Sequence, residues 1–340
     1  MAKSGTLIYR FGVNNDKSGD RPPKVHGQAS ARGETVHGSD ATIAAYIAQL
    51  IAAKKPAGES RINPVTIGLL GRGIQSSRTP IMHEREGARL GMPYTYVLLD
   101  FDTMNLADAA LGEVLDAAEH LGFAGLNVTH PFKQSVIPHL TELAADAKAI
   151  GAVNTVVLRK GSRAGHNTDC WGFQQSFHDG MTGCPLRRVT QFGAGGAGAA
   201  VGYALLGLGV EELTVVDIEP ARAILLAKRL SKLATGHVAT AVSAVEPLRL
   251  ADGIVNTTPV GMEKYPGLPF AADLMSARHW VAEIIYFPQE TELLRQAHAL
   301  GCRTLPGTGM AIYQAVRAFE LFTGIAPDRS AMATHFEAAA

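Results

Sequence analysis

Past residue 64 the chain alternates between short apolar runs and longer stretches whose apolar positions recur every three or four residues. The runs at 65–70, 94–99, 124–128 and 153–159 read as strands, and the periodic stretches at 81–90 and 109–121 as helices. Pro131 is placed to open a further helix reaching about residue 149, since proline is tolerated at the first helical position. A second alternation begins near Arg187. It gives a strand at 188–192, a glycine turn at 193–198, a helix at 198–208, a strand at 212–217 and a helix at 220–233. Strands near 253–255 and 280–283 extend it, and a helix over 309–323 is placed to return to the first unit. Such alternation predicts an α/β protein with a largely parallel sheet in each unit. Ahead of it, residues 1–40 are polar and glycine-rich, apart from a possible strand at 6–13. Asp40 is positioned to cap a helix carrying Ile43, Tyr46, Ile47 and Leu50 on one face, so this extension is expected to pack on the main body.

Composition narrows the class. At roughly 100–200 residues per domain, 340 residues make two domains. Charged residues are 18% and hydrophobic ones 46%, which excludes a disordered polyelectrolyte. Lys plus Arg and Asp plus Glu both number 31, so a global basic field for nucleic acid is absent. Cys170, Cys184 and Cys302 form no paired spacing, which argues against a disulfide framework or zinc site and fits a reducing, cytoplasmic setting. The histidines show no metal-ligand spacing, and no metal is expected. The most apolar helix-like window, residues 41–53, is far short of the ~20 residues of a membrane span. The N-terminus fits no signal peptide, and the sequons at Asn127 and Asn256 are chance matches.

Gly193-Ala194-Gly195-Gly196-Ala197-Gly198 carries more information. It satisfies a GxGxxG pattern between a strand and a helix, the arrangement that holds a dinucleotide. Gly193 permits the tight turn, Gly195 lets backbone approach a pyrophosphate, and Gly198 allows helix and strand to pack closely. Amides at the helix N-terminus then face the phosphates. Asp217 ends the next strand, where a carboxylate accepts from the adenosine ribose hydroxyls and repels a 2′-phosphate. Arg222 complicates this, being able to greet a 2′-phosphate, stack on adenine or pair with Asp217. The expected cofactor is NAD, with NADP less favoured.

Five polar clusters interrupt the apolar pattern: Ser76-Ser77-Arg78-Thr79-Pro80, Asn127-Val-Thr129-His130-Pro131-Phe-Lys133, Gly151-Ala-Val-Asn154-Thr155, Asn167-Thr168-Asp169, and Pro306 through Gln314. In this order around the glycine loop, and with Asn256-Thr-Thr258-Pro-Val-Gly-Met262 and Tyr286 followed by Pro288, the chain resembles the shikimate dehydrogenase family from about residue 67 to 324. The resemblance implies an open α/β substrate domain and a Rossmann-type NAD(P)-binding domain with a cleft between them. The corresponding spans are an extension at 1–60, a substrate domain at 61–170 completed by a helix at about 306–335, and a Rossmann domain at 171–305. It implies that Ser77 and Thr79 hold a substrate carboxylate and that Thr129, Asn154, Asp169 and Gln314 bind ring hydroxyls. Tyr286 joins the substrate set, while Thr258, Gly307 and Met310 join the cofactor set.

Lys133 and Asp169 match the family's catalytic pair. Oxidising a secondary alcohol requires a base within hydrogen-bond reach of the hydroxyl. In the first turn of a helix opened by Pro131, the dipole disfavours a protonated Lys133, while Asp169 favours it and orients it. Two departures from the common family pattern matter: Ser-Arg-Thr-Pro where most biosynthetic members read His-Ser-x-Ser-Pro, and Asp217-Ile-Glu219 where most carry a 2′-phosphate site. Both resemble the NAD-dependent quinate/shikimate dehydrogenase branch. Quinate has an extra hydroxyl on its carboxylate-bearing carbon, beside Ser77 and Thr79. Two alternatives stay open: an NADP-dependent shikimate dehydrogenase of aromatic biosynthesis, and a nucleotide- and polyol-binding sensor without turnover.

Overall fold

Two six-stranded sheets organise the computed structural model, which describes residues 40–54, 64–233, 236–241 and 243–338. The strand read at residues 6–13 lies outside the described residues. The first half contains α1 (Asp40–Lys54), β1 (Val65–Gly71), α2 (Thr79–Arg89), β2 (Tyr94–Asp100), α3 (Leu111–His120) and β3 (Gly125–Val128). It continues with β4 (Glu142–Leu143), α4 (Ala145–Ile150), β5 (Thr155–Arg159), β6 (Ser162–His166) and α5 (Thr168–Met181). The second half contains β7 (Arg188–Phe192), α6 (Gly196–Gly207), β8 (Glu212–Val216), α7 (Pro220–Leu230), β9 (His237–Thr240), α8 (Val245–Leu250) and β10 (Gly253–Asn256). It ends with β11 (Trp280–Glu283), α9 (Glu292–Ala299), β12 (Arg303–Leu305), α10 (Thr308–Thr323) and α11 (Arg329–Glu337).

The second sheet, ordered β12-β11-β10-β7-β8-β9, is wholly parallel. The first, ordered β2-β1-β3-β5-β6-β4, is parallel across β2-β1-β3 and again at β6-β4, so it too is largely parallel, but β5 runs antiparallel to both its neighbours, which the sequence reading did not anticipate. β5 and β6 form a hairpin. Lys160 and Gly161 both have positive φ, 45° and 80°, the backbone that a two-residue β-turn between antiparallel strands needs. β6 itself, Ser-Arg-Ala-Gly-His, has almost no strand propensity and exists because β5 and the turn place it.

The helix read from Pro131 to residue 149 does not form. Residues 131–136 are turns, Ile137–His139 is one 3-10 turn, β4 intervenes, and α4 alone is α-helical. Pro138 accounts for this: inside a helix its ring would strike the carbonyl of residue 134, and it has no N–H to donate. α1, by contrast, forms as its periodicity predicts. Ile43 and Ile47 are fully buried in the core shared by α3 and the first sheet. Its last residue also guards a sheet edge: Lys54 Nζ donates to the Tyr96 carbonyl (2.6 Å) and pairs with Glu84, whose carboxylate accepts from the Tyr96 N–H (3.0 Å). The outward N–H and carbonyl of Tyr96, in the middle of the outer strand, are thereby taken up.

Each sheet has an apolar core on both faces. α5 and α10 pack together between the halves, α5 reaching α6 and β12, α10 reaching α2, α11 and β5. Gly172 makes their approach possible, because a Cβ there would lie 2.8 Å from the Met310 carbonyl oxygen and 2.9 Å from the Gln314 nitrogen.

Candidate active site

Polar residues gather past the carboxyl ends of the parallel strands, where open α/β sheets bind ligands. In the first half, Thr129 follows β3 and packs so closely on the end of β1 that a Cβ on Gly71 would sit 2.4 Å from its methyl group. The turn after it carries Lys133, whose Nζ lies 2.5 Å from Asp169 Oδ2 with both side chains largely buried. Since no helix begins at Pro131, the dipole argument for Lys133 falls away. Its position is set otherwise: its carbonyl accepts from the Val153 N–H (2.7 Å), and its side chain lies against Gly196, where a Cβ would come within 3.3 Å.

Asp169 stands in the first turn of α5, capped by Asn167, whose side chain accepts from the Cys170 N–H and donates to the Ala152 carbonyl. A buried polar net holds this helix start against β5. Asn154 Oδ1 accepts from the Thr168 N–H (2.7 Å), its Nδ2 donates to the Thr168 hydroxyl (2.9 Å), and Thr155 donates to it. Asn127 joins through Thr155, and the Tyr96 hydroxyl donates to Asn127 Oδ1 (2.8 Å). Sequence reasoning selected Asn154 but missed Asn127, Thr155 and Thr168 as supports, although all three lie in the quoted clusters. Tyr96 carried no signal at all, being one apolar-strand tyrosine among others.

Ser77 and Thr79 lead into α2, the Thr79 N–H donating to the Ser77 hydroxyl (3.4 Å), with Pro80 next. Tyr286 follows β11 and packs on Phe336 of α11. Burial lifts its phenol above the usual range, Arg78 pulls it back and Asp169 pushes it further up, so this ring feels charges from two of the other clusters. Gln314 faces α5 one turn beyond Asp169, its amide donating to the Ala311 carbonyl.

In the second half, Gly193 has φ of 99°, and a Cβ on it would lie 2.6 Å from Thr257 Oγ1. A Cβ on Gly198 would lie 2.3 Å from the Gly193 carbonyl, whereas one on Gly195 meets nothing within 4 Å. The loop is therefore locked at both ends and open in the middle, the form a pyrophosphate cradle requires. Buried Gln191 ties it by donating to the Gly193 and Gly198 carbonyls (2.9 Å each), a support the sequence reading did not identify. Ala197 lies in the first turn of α6.

Asp217 accepts from the Ala194 N–H (2.7 Å) and the Glu219 N–H (2.8 Å). Arg222 does not pair with Asp217. Its guanidinium meets Glu219 at 2.8 Å, because the two stand one turn apart on the exposed start of α7. Thr258 donates from N–H and hydroxyl to Asn256 Oδ1, and Asn256 in turn donates to Glu283. Glu283 also accepts from the Ile285 N–H and the Thr291 hydroxyl, and burial pushes its carboxyl up to about 7. Gly307 caps α10 against the Ile284 carbonyl, and Met310 is buried in that helix's first turn. Among the described residues no group of three or more His, Cys, Asp or Glu could hold a metal, and no helix is long and apolar enough to cross a membrane.

Comparison with known proteins agrees with this geometry. Residues 69–156 match the shikimate dehydrogenase substrate binding domain, and residues 307–334 the shikimate 5′-dehydrogenase C-terminal domain. A Streptomyces avermitilis protein named shikimate dehydrogenase (NADP(+)) is 52% identical, covering 78% of this chain and 92% of that one. A Corynebacterium efficiens protein named quinate/shikimate dehydrogenase (NAD(+)) is 47% identical, covering 80% and 97%. Among solved structures, quinate dehydrogenase from Corynebacterium glutamicum in complex with NAD superposes with a TM-score of 0.76 at 44% identity, covering 81% of this chain and 99% of that one. With its two α/β halves and the pair Lys133–Asp169 between their clusters, the chain belongs to the shikimate dehydrogenase family.

Proposed function

We propose that this protein is an NAD-dependent dehydrogenase that reversibly oxidises a ring hydroxyl of quinate, shikimate or both, giving the 3-dehydro product. The observation that carries the reading is the Lys133–Asp169 contact at 2.5 Å, largely shielded from water and beside Thr129 and Asn154. A bound nicotinamide nucleotide supplies the hydride acceptor. Lys133 Nζ is the group placed to take the hydroxyl proton as hydride leaves; Asp169 holds Nζ in place and accepts a hydrogen bond from the ring. Thr129, Asn154 and Gln314 bind further ring hydroxyls, with Ser77, Thr79 and Tyr286 at the carboxylate end. The first half with α10 thus serves the polyol, and the 171–305 half serves the nucleotide. A binder without turnover has no need of a buried amine–carboxylate pair, which counts against the sensor reading.

Asp217 favours NAD. A 2′-phosphate beside it would set two anions together in a partly desolvated groove, whereas the ribose diol of NAD donates to it. Arg222, already engaged by Glu219, does not offset this. The NADP-dependent shikimate reading draws on the Streptomyces relative's name. Initial rates with quinate and shikimate, each with NAD and NADP, test both: higher kcat/KM with NAD on either polyol is expected, a preference for NADP reverses the order of the two readings, and no turnover of either polyol overturns both.

A further inference from the structure

Arg78 stands between the two hydroxyl residues of its cluster, yet the resemblance gives it no role. It is half-buried, and its Nη1 is fully enclosed without a hydrogen-bond partner. No acidic side chain pairs with it among the described residues. Its Cζ lies over two aromatic rings, 5.4 Å from the centroid of Phe287, in the loop after β11, and 5.5 Å from that of Phe336, on α11. The rings stabilise the cation through their faces but offer no lone pair to its in-plane N–H groups. With Nη1 closed in, the N–H groups left to meet an acceptor are on Nε and Nη2, which make no hydrogen bond within the protein and are not enclosed, so a strong acceptor for this guanidinium has to be supplied from outside.

The surroundings define that group as an anion. Ser77 and Thr79 flank Arg78 with hydroxyl donors, and Arg78 is itself the N-cap of α2, whose eleven residues direct the positive end of their dipole to this point. Arg78 also lowers the Tyr286 phenol while Asp169 raises it, so one side chain lies within reach of both the unpaired cation and the catalytic pair. A planar fork with two adjacent hydroxyls matches a carboxylate held through both oxygens.

We propose that Arg78 binds the carboxylate of the substrate and is the residue that makes the enzyme select a polyol acid over an uncharged polyol. This rests on the function proposed above. Ser77 and Thr79 supply neutral hydrogen bonds that an ester or amide accepts almost equally well; only Arg78 reads the charge. The two rings hold the guanidinium in place before substrate arrives, so little side-chain freedom is lost on binding.

The test compares quinate with its methyl ester, which keeps the ring and removes the charge, on the unsubstituted protein and on Arg78→Met and Arg78→Lys. Methionine keeps the apolar stem against Phe287 and Phe336. Arg78→Met is expected to lower kcat/KM for quinate by about 10- to 100-fold, mainly through KM, as for loss of one charge-assisted hydrogen bond. The ester should change by no more than about 3-fold, and Arg78→Lys should restore part of the loss for quinate alone. Equal losses on acid and ester, in either variant, overturn the proposal and leave Arg78 a strut between α2 and α11. If Arg78→Met fails to fold by thermal melting, the Arg78→Lys ratio of acid to ester decides, an unchanged ratio being the overturning result. Failure of the unsubstituted protein to oxidise quinate or shikimate overturns the functional reading instead, so the two failures are distinct.

Discussion

The two strand edges that carry the site solve different problems by different means. On the first, the polar atoms belong to side chains: Lys133 on Asp169, and behind them Asn154, Thr155, Thr168, Asn127 and Tyr96, each satisfied by the next. On the second, the working surface is backbone, opened by glycines at Gly193, Gly195 and Gly198 and braced by Gln191 and Asp217. A side-chain net can be retuned one residue at a time and suits a particular ring of hydroxyls. A backbone cradle depends on side chains that are missing, and suits a pyrophosphate that many proteins share. The first edge should therefore fail through chemistry and the second through shape.

The largest expected effect follows directly. Lys133→Ala removes the proposed base and should lower turnover by about 10²–10⁴-fold. Cofactor affinity, measured by calorimetric titration with NAD, should stay within a few-fold, because Lys133 belongs to the first half and lies beside the glycine loop at Gly196. Near-normal turnover would return Lys133 to the status of a half-buried structural lysine and erase the contrast between the edges.

That contrast also explains what the sequence disclosed. In the second half β7, α6, β8 and α7 were legible because strand and helix alternate there around the fixed spacing of the glycine loop, and β10, β11 and α10 followed the same pattern, whereas the short elements β9, α8, α9 and β12 went unread. The first half hid β6, which has no propensity of its own, and the Pro131 stretch looked helical only while Pro138 was overlooked. The candidate reactive residues stood out because their polar clusters interrupt apolar strands. Their supports did not: Tyr96 and Gln191 look like ordinary strand residues, and only three-dimensional pairing gives them work. Arg222 illustrates the converse, since its partner was sought at Asp217 while Glu219 lay one helical turn away.

Among the titratable groups that each half buries, Glu283 and His83 carry large shifts that act in opposite directions. Burial lifts the Glu283 carboxyl from 4.5 to about 7. Its contribution to stability is complete below the unfolded value and is lost as pH rises through 7. Burial lowers His83, bonded to the Tyr94 hydroxyl, from 6.5 to about 3. Its contribution is complete above 6.5 and is lost as pH falls through 3. Between pH 4.5 and 6.5 the two oppose, so the parent protein should show a shallow profile there. Glu283→Gln should remove the falling component, worth up to about 3 kcal/mol across its window, and leave stability rising with pH. Urea unfolding at intervals from pH 4 to 8 measures this; an unchanged slope would mean that Glu283 is already ionised in the fold.

The shape of the cradle is tested by a pair of alanines. Gly198→Ala forces a Cβ to within 2.3 Å of the Gly193 carbonyl and should cost about 1–3 kcal/mol, as overpacking does. Gly195→Ala meets nothing within 4 Å, so its effect on stability should stay within about 0.5 kcal/mol while NAD binding weakens. Thermal melting with and without NAD separates the two. Equal melting temperatures for both variants would show that the loop is not locked at its helix end.

The smallest effect is the most discriminating, because it concerns charge at the rim of the cradle. Asp217→Asn removes the repulsion toward a 2′-phosphate, but it also weakens the bonds to Ala194 and Glu219, since an amide oxygen replaces one carboxylate oxygen and an amino group the other. The ratio of kcat/KM for NAD to that for NADP should fall about 10-fold, the equivalent of ~1.4 kcal/mol, partly through a poorer NAD value. Arg222 adds less to this while it is paired with Glu219. An exposed pair one turn apart is worth only about 0–1 kcal/mol, so Glu219→Gln alone should shift the ratio by a few-fold at most. Combined with Asp217→Asn it should do more than the product of the single changes, because only then is a free guanidinium presented where the repelling carboxylate has gone. Strict multiplicativity would place Arg222 outside the reach of the 2′-position and leave Asp217 as the sole determinant of nucleotide choice on this edge.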